Sequence, residues 1–96
     1  MYTATMEYQF KPGCLQQALE IWKKLVLPAA QGREGLHRMI LLTQGNDRIL
    51  AMGIWSDKPY AEEFMKTGIF KTLMEHLEGL LVKDPEPRFW TLEAEL

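Results

Sequence analysis

Two segments in the middle of the chain, LHRMILLTQ (36–44) and RILAMGIW (48–55), are apolar on both of their alternating faces. They flank the turn GND, whose residue types tolerate the positive φ of a tight hairpin, so we predict two antiparallel strands. Helices can cover only one face of such a sheet, and a face left in water should alternate apolar with polar residues. The pattern therefore predicts a homodimer that packs sheet against sheet. The alternative is that Met39 and Leu41 simply depart from the alternation.

The first part of the chain predicts a strand and a helix before this hairpin. Residues 2–10 alternate, with apolar side chains on one face and Thr, Glu and Gln on the other, which indicates a strand. After the turn KPG, apolar residues recur at helical spacing over 15–26 and predict an amphipathic helix. Pro28 is expected to end that helix.

The second part of the chain repeats the same order. Ser56 or Asp57 can cap a second helix, which the Thr-Gly pair at 67–68 interrupts. The helix is expected to resume as one apolar stripe over 69–81, and a last strand is expected at 88–96. Strand, helix, strand, repeated twice, predicts a ferredoxin-like α+β fold: a four-stranded antiparallel sheet with two helices on one face.

Length and charge exclude several classes of protein. The 96 residues predict a single domain over 1–96, and so short a chain buries only about 60 to 65% of its unfolded surface. The net charge of -2, with mixed signs along the chain, predicts no nucleic-acid partner and no membrane-surface partner. No apolar run could span a bilayer, and the first residues lack a signal pattern, so we expect a cytoplasmic protein. One cysteine and two histidines predict no metal site.

Three stretches carry a family resemblance. A strand followed by KPG opens the chain, EGLHRMILLTQ (34–44) follows the first helix, and GIWSDKPYAEEFMKTGIF (53–70) comes next. In this order and spacing they resemble the antibiotic biosynthesis monooxygenase family, within the dimeric α+β barrel superfamily, over essentially the whole chain. The resemblance implies dimers in which two sheets close a barrel, with a pocket between sheet and helices in each subunit. Activities in the family range from cofactor-free oxidation of polyphenols or quinols to haem breakdown.

The haem-degrading branch of the family differs from this chain at three positions. Phe64 stands where that branch has a Trp, Met74 where it has the haem-ligating His, and Met6 near the place of its Asn. His76 cannot replace the ligand, because two helical steps turn a side chain by about 200°. We therefore expect no haem degradation, and we predict no bound cofactor.

The resemblance places a pocket at the corner that contains Trp55, Tyr60 and Phe64. Trp55 and Phe64 are predicted to bind a flat substrate, and Gly53, which has no side chain, is predicted to leave room beside them. Each has a plainer alternative. Gly53 could instead mark a bulge or the close approach of a helix, and Trp55 could simply fill the core.

Polar candidates for catalysis are few. His76 lies at the edge of its helical stripe and has a side chain suited to proton transfer, and Tyr60 could hydrogen-bond a phenolic hydroxyl. The alternatives are an idle surface histidine and a tyrosine that only packs the corner. We expect a cofactor-independent monooxygenase that acts on an aromatic, quinol-like small molecule, or a non-catalytic ligand-binding or assembly module of the same fold. A cavity lined by Trp55 and a reachable polar group would favour the enzyme.

Overall fold

The chain forms a four-stranded antiparallel sheet with three helices, and a computed structural model describes residues 1–96. The elements in chain order are β1 (Tyr2–Gln9), α1 (Leu15–Ala30), β2 (Leu36–Gln44), β3 (Arg48–Trp55), α2 (Lys58–Met65), α3 (Ile69–Leu77) and β4 (Glu86–Thr91). The strand order in the sheet is β2-β3-β1-β4. The predicted ferredoxin-like α+β fold is confirmed. None of the helices has the length and apolar character needed to cross a membrane.

The strand register determines which side chains face the helices. Ala4 lies opposite Gly53, and Gly53 lies opposite Met39, so these three share one face of the sheet. We call it the helix face, because its side chains pack with the helices in the core. The other face, called the open face, carries Thr3, Thr5, Ile40, Leu42, Leu50, Met52, Ile54 and Trp90. The prediction that the middle strands are apolar on both faces is confirmed.

A β-bulge at the start of β2 changes the alternation there. Leu36 lies opposite Trp55, whereas Arg38 lies opposite Ile54, so His37 is an extra residue in this strand. Leu36 therefore packs against the core, although strict alternation would put it on the open face. The imidazole Nε2 of His37 lies 2.8 Å from Ser56 Oγ.

The expectation that Pro28 ends the first helix is wrong, because α1 continues to Ala30. Pro28 lies in the last turn, where its missing N–H removes a single bond, the one to the carbonyl of the exposed Lys24. The Gln31 N–H donates to Leu27 O at 3.0 Å and closes the helix. Ala30 is buried in the core, and this packing keeps the last turn of α1 in place.

The second helix breaks where the sequence predicted, and the result is two helices. Asp57 is the cap of α2, and its Oδ1 accepts from the Lys58 N–H at 2.8 Å. At the other end Thr67 Oγ1 donates to Phe64 O at 2.7 Å, and Gly68 adopts a φ of 82° before α3 begins. The break is therefore a defined turn, held by the Thr67 hydrogen bond and the left-handed Gly68, between α2 and α3.

The apolar stripe predicted over 69–81 is only partly helical. α3 ends at Leu77, and Gly79, with φ 84°, turns the chain. Leu81 then forms a single antiparallel bridge with Phe10. The stripe remains apolar because this segment still packs against the core.

The last strand is shorter than the predicted 88–96. β4 covers Glu86–Thr91, and Thr91 lies opposite Tyr2, the first residue of β1. One further backbone hydrogen bond, from Leu92 N–H to Met1 O at 2.8 Å, follows the last residue of β4.

The core lies between the helix face and α1 and α3, and Tyr8 is a polar residue within it. The side chain of Tyr8 is 1% exposed. Burial raises the pKa of Tyr8 to about 12. The indole N–H of Trp22, which would donate to the phenolate, opposes part of this rise, although it makes no hydrogen bond to the neutral hydroxyl. Tyr8 is therefore a neutral core residue at ordinary pH.

We expect the buried Tyr8 to make the fold sensitive to alkali. Between pH 10 and 12 the unfolded chain releases a phenol proton that the folded chain retains, so the free energy of unfolding should fall in this window. For a shift of this size the loss is about 1.4 kcal/mol at pH 11, and it approaches about 2 to 3 kcal/mol only above pH 12. Urea unfolding at pH 8 and at pH 11 measures it. Tyr8→Phe should remove most of the difference, and the control Tyr2→Phe should not.

Candidate functional site

A cavity of about 550 Å³ lies between the helix face of the sheet and the helices α2 and α3. Its wall is mostly apolar and includes four of the six methionines, Met6, Met39, Met52 and Met65. β4 contributes Phe89 to the wall, and the side chain of Phe89 is 62% exposed. The cavity therefore opens between α2 and the edge strand β4.

Gly53 lies on the cavity wall because the neighbouring tryptophan occupies the space above it. A Cβ atom on Gly53 would lie 2.8 Å from Trp55 Nε1 and 3.6 Å from Met39 Cε. The strand pairing is regular at this position, and the nearest atoms belong to these two side chains rather than to a helix backbone. Neither a bulge nor a close helix explains the glycine. Gly53 lets the indole of Trp55 lie along the sheet.

Aromatic rings form the wall beside Trp55. The ring of Phe64 lies 5.5 Å from that of Trp55 at 39°, and Phe70 meets Phe64 edge-on at 5.6 Å. The guanidinium of Arg33 lies 5.5 Å from the centroid of the Phe64 ring, within cation–π range. Such interlocked rings present flat surfaces with little freedom to move. The structure thus brings together the three predicted binding residues, Trp55, Phe64 and Gly53.

The two predicted catalytic residues lie elsewhere. Tyr60 packs on Gly35 so closely that a Cβ on Gly35 would overlap its ring, which corresponds to the alternative of a tyrosine that packs the corner. His76 is exposed on α3, and its Nδ1 lies 2.9 Å from Thr72 O, one turn back on the same helix. Neither residue lines the cavity. Their catalytic roles stay predictions.

Four polar residues on the cavity wall were missed by the sequence analysis. Lys58, Glu62 and Lys66 lie at its rim, and Tyr2 stacks on Phe89 with ring centroids 5.9 Å apart. The spacing of four residues along α2 could have shown that the charged side chains share one face. The alternation predicted Tyr2 on the apolar face of β1, and the register of β1 with β3 puts that face on the same side of the sheet as Gly53 and Trp55.

Two tryptophans and two threonines carry the buried polar atoms in and near the site. Trp22 also lines the cavity, and its buried Nε1 has no hydrogen-bond partner. On the open face, Trp90 Nε1 donates to Thr5 Oγ1 at 2.9 Å, whereas the buried Thr3 Oγ1 has no partner. No group of three or more His, Cys, Asp or Glu side chains is placed to hold a metal ion.

Comparisons with known proteins relate this cavity to a family. The chain resembles a protein of unknown function from Nitrosomonas europaea, with a TM-score of 0.84 and 20% identity, over 99% of this chain and 92% of that one. It also resembles SnoaB, a cofactor-independent oxygenase from Streptomyces nogalater, with a TM-score of 0.81 and 16% identity, over 99% and 95% of the two chains. These likenesses show a common fold.

A conserved protein from Methanosarcina mazei has the same fold, with a TM-score of 0.82 and 17% identity, over 96% of this chain and 92% of that one. A comparison with curated proteins finds no match. The model of the family described as antibiotic biosynthesis monooxygenase matches residues 1–76, which is most of the sequence. The chain therefore belongs to the antibiotic biosynthesis monooxygenase family.

Proposed function

We propose that the protein is a cofactor-independent monooxygenase that oxidises a flat aromatic, quinol-like molecule in the cavity beside Trp55. The observation that carries the proposal is the cavity of about 550 Å³, large enough for a small fused-ring molecule, with Trp55 and Phe64 as its flat wall. The fold shared with a cofactor-independent oxygenase supports the reaction class. Fold likeness alone does not assign a substrate.

The proposed reaction takes its electrons from the substrate and its oxidant from dioxygen. An ionised anthrone-type substrate transfers one electron to O₂, and the substrate radical and superoxide combine at the ring carbon to form a peroxide anion. This anion takes up a proton from water and becomes a hydroperoxide. Loss of water leaves a carbonyl, so that the CH₂ group and O₂ become C=O and H₂O. The protein contributes binding and exclusion of water by apolar walls. In this proposal the indole N–H of Trp55, which lies beside Gly53, donates to a substrate oxygen, and Tyr2, also on the wall, supplies a hydroxyl as a second donor.

The alternative, a non-catalytic ligand-binding module, is favoured by one observation. No His, Asp or Glu lies on the inner wall, and the charged residues that line the cavity, Lys58, Glu62 and Lys66, are all exposed at the rim. An enzyme that must remove a proton from a weakly acidic substrate needs a base within hydrogen-bond reach. A binding module needs none.

The proposed assembly is a homodimer in which the open face of one chain covers the open face of its partner. Leu42 and Trp90 are large apolar residues on that face, and their side chains are 47% and 52% exposed. They lie on the two edge strands of the sheet, and the open face also carries the charged residues Glu7, Arg38, Glu86 and Arg88. Large apolar residues exposed within a polar surround are typical of an interface. Proteins of this family are commonly dimeric.

Replacing Trp55 tests the proposed function. A panel of anthrones and quinols is first screened for oxygen consumption. With a substrate that turns over, Trp55→Phe should lower the rate about tenfold, because one hydrogen-bond donor and part of the flat wall are lost. The melting temperature should change little, since most of the apolar volume remains. Loss of stability in a protein that consumes no oxygen with any substrate would instead support the binding module.

The same assay tests the predicted catalytic residues outside the cavity. Tyr60→Phe removes only the hydroxyl, and His76→Ala removes the imidazole from an exposed position. A loss of turnover at unchanged melting temperature would support a catalytic role for either residue. Unchanged turnover would leave Tyr60 with its packing role and His76 without a function in the reaction.

A further inference from the structure

We infer that the cavity selects aromatic anions, namely flat molecules that carry one ionised carboxylate or acidic hydroxyl on the ring. The apolar body lies against Trp55 and Phe64, and the negative charge lies at the rim beside Lys58 and Lys66. The inference rests on the proposed function in one respect, because it takes this cavity as the ligand site. It adds the charge of the ligand, which neither the fold nor the family assigns.

The charged part of the rim comes from a single helix. Lys58 and Glu62 lie on α2 and Lys66 is the residue that caps its C-terminal end, and their spacing of four residues puts all three on one face. Two positive charges and one negative charge give this side of the rim a net charge of +1. The opposite side is formed by Pro87 and Phe89 and carries no charge.

The two lysines have no acidic partner in the structure. The ion pairs are Arg48 with Glu7, and Glu86 with both Lys83 and Arg88. Glu62 lies one turn from each rim lysine but forms an ion pair with neither. Lys58 and Lys66 are separated by about 12 Å along the helix axis, so a bound anion can approach one ammonium group while Glu62 stays in water.

The inner wall explains why the charge must stay at the rim. An ionised group moved into an apolar cavity loses its hydration, which costs far more than a surface ion pair returns. No positively charged side chain lies on the inner wall to compensate. A ligand that carries its charge at one end of an apolar body satisfies both regions at once.

A matched pair of ligands tests the inference. Naphthoate and naphthamide have the same ring and nearly the same shape, but only the first is charged. We expect naphthoate to bind about three- to tenfold more tightly at low ionic strength, as measured by equilibrium dialysis. In the double variant Lys58→Gln, Lys66→Gln the two ligands should bind within about twofold of each other, because the attraction to the rim is gone. Glu62→Gln should increase the preference.

A lysine outside the cavity provides the control. Lys71 is exposed on α3 and does not line the cavity, so Lys71→Gln removes one positive charge, as each rim substitution does by itself, and should keep the preference. Equal binding of both ligands, or a preference that survives the double variant, would overturn the inference and leave the cavity as a ligand site. Failure of both ligands, and of larger tricyclic analogues, to bind at all would overturn the proposed function together with the inference.

Discussion

Gly35→Ala is expected to lower the free energy of unfolding by about 3 kcal/mol, a large fraction of the stability of a domain this small. Gly35 has a φ of +80°, a conformation that costs an L-residue about 1 kcal/mol or more. A Cβ there would also overlap the ring of Tyr60, a rigid side chain in a packed corner. Overpacking of this kind adds about 1 to 3 kcal/mol. Urea unfolding gives the value.

A second glycine separates the two causes. Gly79 has a nearly identical φ of +84°, but no atom lies within 4 Å of the position its Cβ would take. Gly79→Ala should therefore cost only the backbone part, about 1 kcal/mol. In a Tyr60→Ala background, where the ring is absent, Gly35→Ala should cost less stability than it does in the wild-type protein. Equal losses at the two glycines would show that Tyr60 does not rest on Gly35.

Leu42→Glu is expected to convert the proposed dimer into a monomer. The wild-type protein should sediment at micromolar concentration with a mass near twice the 11.2 kDa of one chain. Leu42 is 47% exposed on the open face, so glutamate costs the isolated chain little. In a symmetric interface the substitution buries two unpaired carboxylates, which costs several kcal/mol. The variant should therefore sediment near 11.2 kDa.

The control for this experiment is Leu27→Glu. Leu27 is similarly exposed, at 43%, but it lies on α1 and not on the open face. The variant should remain dimeric and keep the melting temperature of the wild type within a few degrees. A wild-type mass of 11.2 kDa at micromolar concentration would contradict the proposed assembly, whatever the variants do.

The strands were predictable because their side chains repeat every two residues. The alternation of β1 and the two-faced pattern of β2 and β3 defined both faces of the sheet, and the Thr-Gly pair marked the break between α2 and α3. The ends were not predictable in the same way. α1 passes Pro28 because the packing of the buried Ala30 holds its last turn, and β4 covers Glu86–Thr91 instead of the predicted 88–96. Such limits depend on contacts between distant residues.

The binding residues were easier to predict than the polar ones. Trp55, Phe64 and Gly53 were identified from a motif whose spacing fixes their place at one corner of the fold. Tyr60 and His76 were chosen for their chemistry, and helical spacing alone does not say which neighbour a side chain will meet. The rim lysines were overlooked because charged residues on an amphipathic helix are usually only solvated. Their position opposite Phe89 appears only when β4 pairs with β1.

The methionines of the cavity wall make the site sensitive to oxidation. An unbranched thioether adjusts its shape easily, so Met6, Met39 and Met65 can close around ligands of different outline. The same sulfur atoms are readily oxidised, and each sulfoxide replaces an apolar surface with a polar one. Met65 is 48% exposed at the mouth and is the first that an oxidant would reach. Under the proposed reaction, oxygen enters the cavity beside a reducing substrate. Repeated turnover is therefore expected to oxidise these methionines, to make the cavity wall more polar and to weaken the binding of aromatic ligands.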